Sequence, residues 1–543
     1  MRTLTQSFTF AWSVYSDGLV DDLTFSQLKK VLVQGSKVSA ASIDASQEFV
    51  EQSPLFSEDP SDLVRIDEEN YCPPDDVLDG YMELLEEASH NAFAATAAAH
   101  LPHGETYNWG KVFKMTDPEE RARHYAAMQK EINKLLDAGN MRWEALPPGE
   151  IAIPSVGVFR VKMHDLHEGG NEPTLKARFC ANGQAAAAPS GGWESTATVA
   201  SYSAILQVVA VAAHYGMNMA QINVKSAFTQ VKLRADQRIW VKPLPGLKDP
   251  LGLGRVFRLI HHLYGHPLAN AAFQDLWVTL MKEFGFTSVD EFGTVFSYIY
   301  HKHRLLVATI VDDSIVAYDD DSLFERFCTF LELKLQIQVA QVEHVCGLHI
   351  VKRDDGSYSV DQKEYITKKA KAFGCDDPKM RKYFTPMDVA FQFEQRPEVV
   401  DTRLVSTARE LVGSLIYATI TRGDCKYACS KLSSVVTNPT QSDIRAMKRV
   451  LRYLYLTRDT ALIYRSGPWK GPNDVIFAPL ELCIFVDASF AQESGRHSQT
   501  GYALMLSGAA IHTKSGKQTQ ETDSTAYAEK IALHEAANWA VVV

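Results

Sequence analysis

Apolar positions along the chain recur with helical spacing in some stretches and alternate in others, and the changes of period mark out its elements. From Asp117 to Leu136 they fall at Tyr125, Met128, Ile132, Leu135 and Leu136 on a charged background, which predicts a helix with one buried face. Glu150 to Lys162 then alternates in strand fashion. Ser201 to Tyr215 (SYSAILQVVAVAAHY) is apolar nearly all round and predicts a buried helix, and Met219 to Phe228 a short strand running into a turn. Leu305 to Val311 and Ser314 to Tyr318 are apolar strands flanking an acidic dipeptide, which predicts a β-hairpin with two carboxylates at its tip. Residues 323 to 400 mix helices and short strands; Leu404 to Leu456 is helical with a break at Asn438-Pro439. The last segment predicts strands at Leu482 to Val486, Thr500 to Leu506 and Ala509 to His512, then a helix from Ser524. No internal repeat is present, and the mixed order of elements predicts an α+β fold.

Composition changes this picture mainly at the N-terminus. The 543 residues are 46% apolar and 22% charged, as in ordinary globular proteins, but the net charge of -11 is unevenly spread. Residues 1 to 110 carry a net of -14 and the rest about +3. An acidic pI therefore does not exclude a polyphosphate partner, which local basic clusters can still attract. The stretch Glu48 to Glu87, with Pro54, Pro60, Pro73 and Pro74, and the alanine run Ala92 to Ala99 predict a leader or linker that buries little apolar area, with organised sequence beginning near Thr116. The apolar run Ser7 to Ser16 lacks a basic leader, a cleavage pattern and the length of a membrane span, so no membrane partner is expected. Eight scattered cysteines predict free thiols, and Cys425 with Cys429, four apart on a helix, are read as small buried hydrophobes and not as metal ligands.

The chemistry suggested locally is at Ile310-Val311-Asp312-Asp313. Adjacent carboxylates on a tight turn can hold magnesium beside a triphosphate, where nucleotidyl transfer needs a primer hydroxyl activated and a leaving pyrophosphate neutralised. Taken alone, the dipeptide could equally be a solvated turn, as Asp319, Asp320 and Asp321 are read.

The surrounding motifs decide between these. LKARFCANGQ (Leu175 to Gln184), INVKSAF (Ile222 to Phe228), LYG (Leu263 to Gly265), GF (Gly285-Phe286) and IVDD (Ile310 to Asp313) occur in that order. They are followed by CGLHIVK (Cys346 to Lys352), QKEYI (Gln362 to Ile366), LVGSLIYATITRGD (Leu411 to Asp424), KRVLRYLYLT (Lys448 to Thr457) and VDASFA (Val486 to Ala491). From about Ala126 to the C-terminus this series resembles the reverse transcriptase of copia-type (Ty1/copia-like) retrotransposons, followed by a truncated ribonuclease H region. The resemblance implies a right-hand polymerase with fingers, palm and connection, then a partial ribonuclease H-like α/β domain. Its implied boundaries are a leader over 1–110, fingers and palm over 111–400, a helical connection over 401–475 and the ribonuclease H-like part over 476–543.

Residue by residue, the resemblance makes Asp312 and Asp313 catalytic metal ligands for magnesium. Arg178, with Lys176 assisting, is matched to the grip on the incoming deoxynucleoside triphosphate, a task suited to forked guanidinium donors. Phe228 falls where the family places the aromatic that excludes a ribose 2′-hydroxyl, with an ordinary core phenylalanine as the equal alternative; Ala227 and Ser226 would lie beneath the nucleotide. Asp487 and Glu529 match two metal-binding carboxylates of ribonuclease H, with an exposed helix carboxylate as the plain reading of Glu529. Tyr527 stands where the family often has another acid, and the chain ends before the later aspartates, so the nuclease is expected to be incomplete.

Two departures shape the functional expectation. Asn223 stands in Gln221-Ile222-Asn223-Val224 where the family has the aspartate that completes the metal site, and an amide offers one neutral oxygen in place of a charged carboxylate. A loss on the order of several kcal/mol in transition-state stabilisation follows, at ~1.4 kcal/mol per tenfold in rate. After Leu263-Tyr264-Gly265, the usual run rich in Gln, Pro and Arg is replaced by His266-Pro267-Leu268-Ala269-Asn270, and His266 is read as a turn histidine without a role. The expectation is an RNA-directed DNA polymerase impaired by Asn223, or a catalytically inactive relic that still binds a primer on an RNA or DNA template. Ribonuclease H activity alone is disfavoured, and the resemblance implies a cytoplasmic, particle-associated or nuclear location.

Overall fold

The computed structural model describes residues 7–9, 106–162, 174–183, 198–247, 249–471, 475–490 and 497–542. The acidic stretch, the alanine run, Cys72 and Gln184 lie outside these. The chain divides into two compact units, one of residues 101–360 with 463–466, the other of 1–100, 361–462 and 467–543. Residues 361–400 thus pack with the helices that follow them.

The first unit is built on a six-stranded antiparallel sheet in the order Ile337–Gln341, Asn218–Val224, Asp313–Tyr318, His303–Ile310, Val295–Tyr300, Thr287–Ser288. Its two central strands are apolar at consecutive positions because both faces are covered. Val307 and Val316 join Phe273, Trp277, Phe327 and Leu331 on one side. Ile315 and Ala317, which alternate with Val316, are equally buried, and the helix Tyr202–Tyr215 packs on these strands. That helix starts where Ser201 accepts the Ala204 N–H at 3.1 Å and stops at Gly216, whose φ of 65° is the left-handed stop of a helix C-terminus.

A three-stranded ribbon also belongs to this unit: Ser155–Lys162 pairs with Thr174–Ala181 on one side and Thr106–Asn108 on the other. The helix Pro118–Asp137, capped by Asp117, packs against it and buries Met128, Ile132 and Leu135. Organised structure begins earlier than Thr116, since Trp109 is buried and stacks on Phe159 with ring centroids 5.9 Å apart. The acidic composition upstream hid this anchor.

In the second unit the predicted helical stretch is three helices, Thr402–Ala418, Lys426–Ser433 and Gln441–Leu456, the last beginning after Asn438-Pro439 with a capping box between Thr440 and Asp443. Cys425 and Cys429 are buried there, and burial pushes both thiols up. The C-terminal strands Cys483–Ser489, Gln499–Leu506 and Ala509–Lys517 form an antiparallel sheet against the helix Thr525–Val542. Ser7–Thr9, inside the apolar run of the leader, adds an edge strand to that sheet opposite Cys483–Phe485. No helix among the described residues is long and apolar enough to cross a membrane.

Candidate nucleotidyl-transfer site

The carboxylate hairpin is closed by a two-residue turn, Val311-Asp312, between the paired residues Ile310 and Asp313. Val311 sits at φ 56°, a conformation that a β-branched side chain adopts only under strain, so the turn is held by its surroundings. One such restraint is the Val224 N–H, which donates to the Asp312 carbonyl at 2.7 Å. Asp313 is buried and Asp312 half-buried.

On the neighbouring strand, Asn223 lies directly opposite Asp313. Its Nδ2 donates to Asp313 Oδ1 at 2.6 Å, and Gln221 Nε2, two residues earlier on the same face, donates to the same oxygen at 3.3 Å. The hairpin and the Asn223 strand therefore meet, as the motif order requires. Two carboxylates are offered there, and among the described residues no third Asp, Glu, His or Cys ligand atom converges on them.

Tyr264 connects this corner to the three-stranded ribbon. The Arg178 guanidinium lies 4.8 Å from the centre of its ring, and its hydroxyl is pushed up to about 12, first by burial, with the Arg178 charge opposing and the Asp312 charge adding to the shift. The position is set by Gly265, where φ is 77° and a Cβ would lie 2.1 Å from the Ala181 carbonyl oxygen, and by the Ala181 N–H donating to the Tyr264 carbonyl at 2.8 Å. Arg178 is half-buried, whereas Lys176 is exposed on the same face of the strand.

Arg160 was not among the residues singled out from the sequence. It sits opposite Lys176 in the ribbon, and burial together with Arg178 pushes its guanidinium down to about 10. Its Nε and Nη2 are buried with no hydrogen-bond partner among the described residues. The alternation of the strand Ser155–Lys162, combined with the register to Lys176, was the signal that could have found it.

Phe228 and Ala227 lie on a short 3₁₀ turn and are both buried, Ala227 completely. The Phe228 ring packs edge-on against Tyr264, centroids 5.0 Å apart, and against Phe273. Phe228 is thus a member of the palm core and a support of the Tyr264 ring at once. His266 is buried beside His262, and burial pushes its imidazole down to about 4, leaving no cation for a phosphate.

In the second unit Asp487 is exposed on its strand, and Glu529 is half-buried on the C-terminal helix. Burial, and then the Asp487 charge, raise Glu529 above the ordinary carboxylate range. The two acids singled out from the sequence, 42 residues apart, are near enough for the charge of one to shift the other. Tyr527 is exposed on the same helix.

The first unit thus combines an antiparallel sheet, a carboxylate hairpin at one end of its central strands, and a three-stranded ribbon. Residues 141–388 match the family described as reverse transcriptase (RNA-dependent DNA polymerase), and the chain is similar to polyproteins of retrotransposons. The chain is 25% identical over 418 residues to the retrovirus-related Pol polyprotein from transposon RE1 of Arabidopsis thaliana, an alignment covering 76% of this chain and 27% of that protein. It is 28% identical over 287 residues to a putative transposon Ty5-1 protein of Saccharomyces cerevisiae, covering 52% of this chain and 88% of that one. The chain thus spans about 27% of the length of the plant polyproteins it matches. A foamy viral protease-reverse transcriptase solved with double-stranded DNA aligns at a TM-score of 0.43 and 11% identity, covering 77% of this chain and 60% of that chain.

Proposed function

We propose that this chain is the polymerase portion of a copia-type reverse transcriptase, acting on a primed RNA or DNA template with deoxynucleoside triphosphates, and weakened in catalysis by Asn223. The observation that carries the reading is the pairing of Asn223 with Asp313 beside Asp312, since two segments 90 residues apart in the chain meet at the corner where a polymerase needs hard oxygen ligands. Asp312 and Asp313 would hold magnesium, which neutralises triphosphate charge and lowers the cost of ionising a primer hydroxyl. Their fit is partial. Asp313 Oδ1 already takes two amide donors, and an amide at position 223 brings no charge to retain a cation beside a polyphosphate.

The chain's own residues supply the remaining tasks. Arg178, stacked on Tyr264, is oriented to grip triphosphate oxygens, and Arg160 and Lys176 extend the basic face along the ribbon. Phe228 supports Tyr264 from below, so the steric selection of the sugar falls to the edge that these two rings present together.

The second reading, a relic that binds primer–template without extending it, is favoured by the two amides on Asp313. They satisfy the carboxylate without a metal, and phosphate contacts do not require one. In the second unit Asp487 and Glu529 are assigned as a ribonuclease H-like carboxylate pair, accessory to the polymerase reading.

Primer extension by the purified chain and by Asn223→Asp separates the two readings. Little extension by the first and a gain of at least tenfold in the second supports the impaired polymerase. No gain, with a salt-sensitive mobility shift retained, supports the binding relic.

A further inference from the structure

Beyond the polymerase corner, the first unit carries a hairpin whose chemistry is of another kind. The strands His344–Val345 and Leu348–Lys352 are joined by the two-residue turn Cys346-Gly347, with φ of 48° and 73°. Both central residues are left-handed, the turn type whose twist matches the flanking strands and locks their register. That register sets His344 opposite His349 and Val345 opposite Leu348.

The Ile350 N–H donates to the Glu343 carbonyl at 2.8 Å, so 343 and 350 are a hydrogen-bonded pair and 344 and 349 are not. Non-hydrogen-bonded pairs bring their side chains closest on one face of the ribbon. The two imidazoles accordingly stack, with centroids 4.8 Å apart and ring planes at 24°. Glu343 Oε1 stands 3.9 Å from His344 Nε2, and one ligand atom from each of Glu343, His344 and His349 lies within 4.8 Å of the others.

We propose that Glu343, His344 and His349 form a transition-metal site that takes zinc or a similar ion through two imidazoles and a carboxylate. Tetrahedral zinc at ~2.0–2.1 Å from each nitrogen needs its ligand atoms roughly 3.3 Å apart. Glu343 and His344 are exposed and His349 half-buried, so small rotations of the first two about the third close the gap. Imidazole pairs select zinc, copper or nickel, whereas magnesium prefers all-oxygen sites, so this site is chemically distinct from Asp312 and Asp313. A fourth position faces solvent.

The existence of the site does not depend on the polymerase reading.

The test is isothermal titration of the full chain with zinc chloride in a large excess of magnesium, with cobalt(II) absorption as the readout of ligand geometry. The wild-type chain is expected to bind one equivalent that magnesium does not displace, to give tetrahedral cobalt bands, and to melt at a higher temperature with zinc. His344→Ala, His344→Gln and His349→Ala are each expected to lower affinity at least tenfold, and Glu343→Gln by a smaller factor, with circular dichroism confirming that each is folded. No zinc bound by the wild type, zinc displaced by magnesium, or unaltered binding in the folded histidine variants would overturn the proposal.

Discussion

Asn223 Nδ2 donates to Asp313 Oδ1 at 2.6 Å between neighbouring strands of the six-stranded sheet, so the amide serves as the partner of the carboxylate. An aspartate at 223 would face Asp313 with like charge, and such a pair needs a cation between its members. Asn223→Asp is therefore expected to lower the melting temperature in chelator and to recover it in magnesium, whereas the wild type changes little between the two. Thermal denaturation with and without magnesium measures this independently of activity; a variant indifferent to magnesium would show that the corner cannot accept the ion.

The basic face of the fingers ribbon makes a separate prediction. Arg160 and Arg178 are both half-buried in one ribbon, and neither is consumed by an ion pair among the described residues. Replacing either with alanine is expected to weaken a primer–template mobility shift and to reduce the slope of log affinity against log salt by ~1. Arg178→Lys should restore the salt slope but not the full affinity, because an ammonium loses the stack on Tyr264.

Acid sensitivity follows from the histidines behind the Leu263-Tyr264-Gly265 turn. Burial first, then Arg234 and His261, push His262 down to about 4, and burial with His262 does the same to His266. Both folded values lie below the unfolded value of ~6.5, so between these limits the unfolded chain binds more protons. Stability is complete above about pH 6.5 and is lost as pH falls toward about 4. Replacing both histidines with glutamine is expected to flatten the dependence of melting temperature on pH over that window.

Glu529 carries the opposite sign. Burial and Asp487 raise it in the folded chain, so the folded form binds more protons just above the ordinary carboxylate range, and this contribution to stability improves as pH falls through that interval. Glu529→Gln is expected to raise the melting temperature at neutral pH and to remove that dependence. A lower melting temperature in a folded Glu529→Gln variant would instead indicate that the carboxylate accepts more from Ala488 than it loses to Asp487.

The legible part of the site was its ingredients. Asp312-Asp313 could be picked out from turn chemistry, which is local, and Asn223, Arg178, Asp487 and Glu529 from the resemblance that the order of the motifs carries. Arg160 could not, since its importance comes from the partner strand opposite and from burial that leaves part of its guanidinium without a protein acceptor. The ambiguity over Phe228 was likewise tertiary: a phenylalanine after a strand reads the same whether it lines a nucleotide site or packs in the core, and here it packs on the rings of Tyr264 and Phe273.

Local periodicity and capping residues were enough to place the helices Pro118–Asp137 and Tyr202–Tyr215 and the carboxylate hairpin nearly to the residue, because each depends on neighbours within a few positions. Three-dimensional packing alone decided that Ser7–Thr9 would join a sheet built almost 500 residues later, and that Trp109 would anchor the ribbon. It alone decided that His344 would meet His349 and that Asn223 would turn its amide on Asp313. Those contacts depend on register between separate strands, which hydrophobic pattern constrains to a face but does not resolve to a partner.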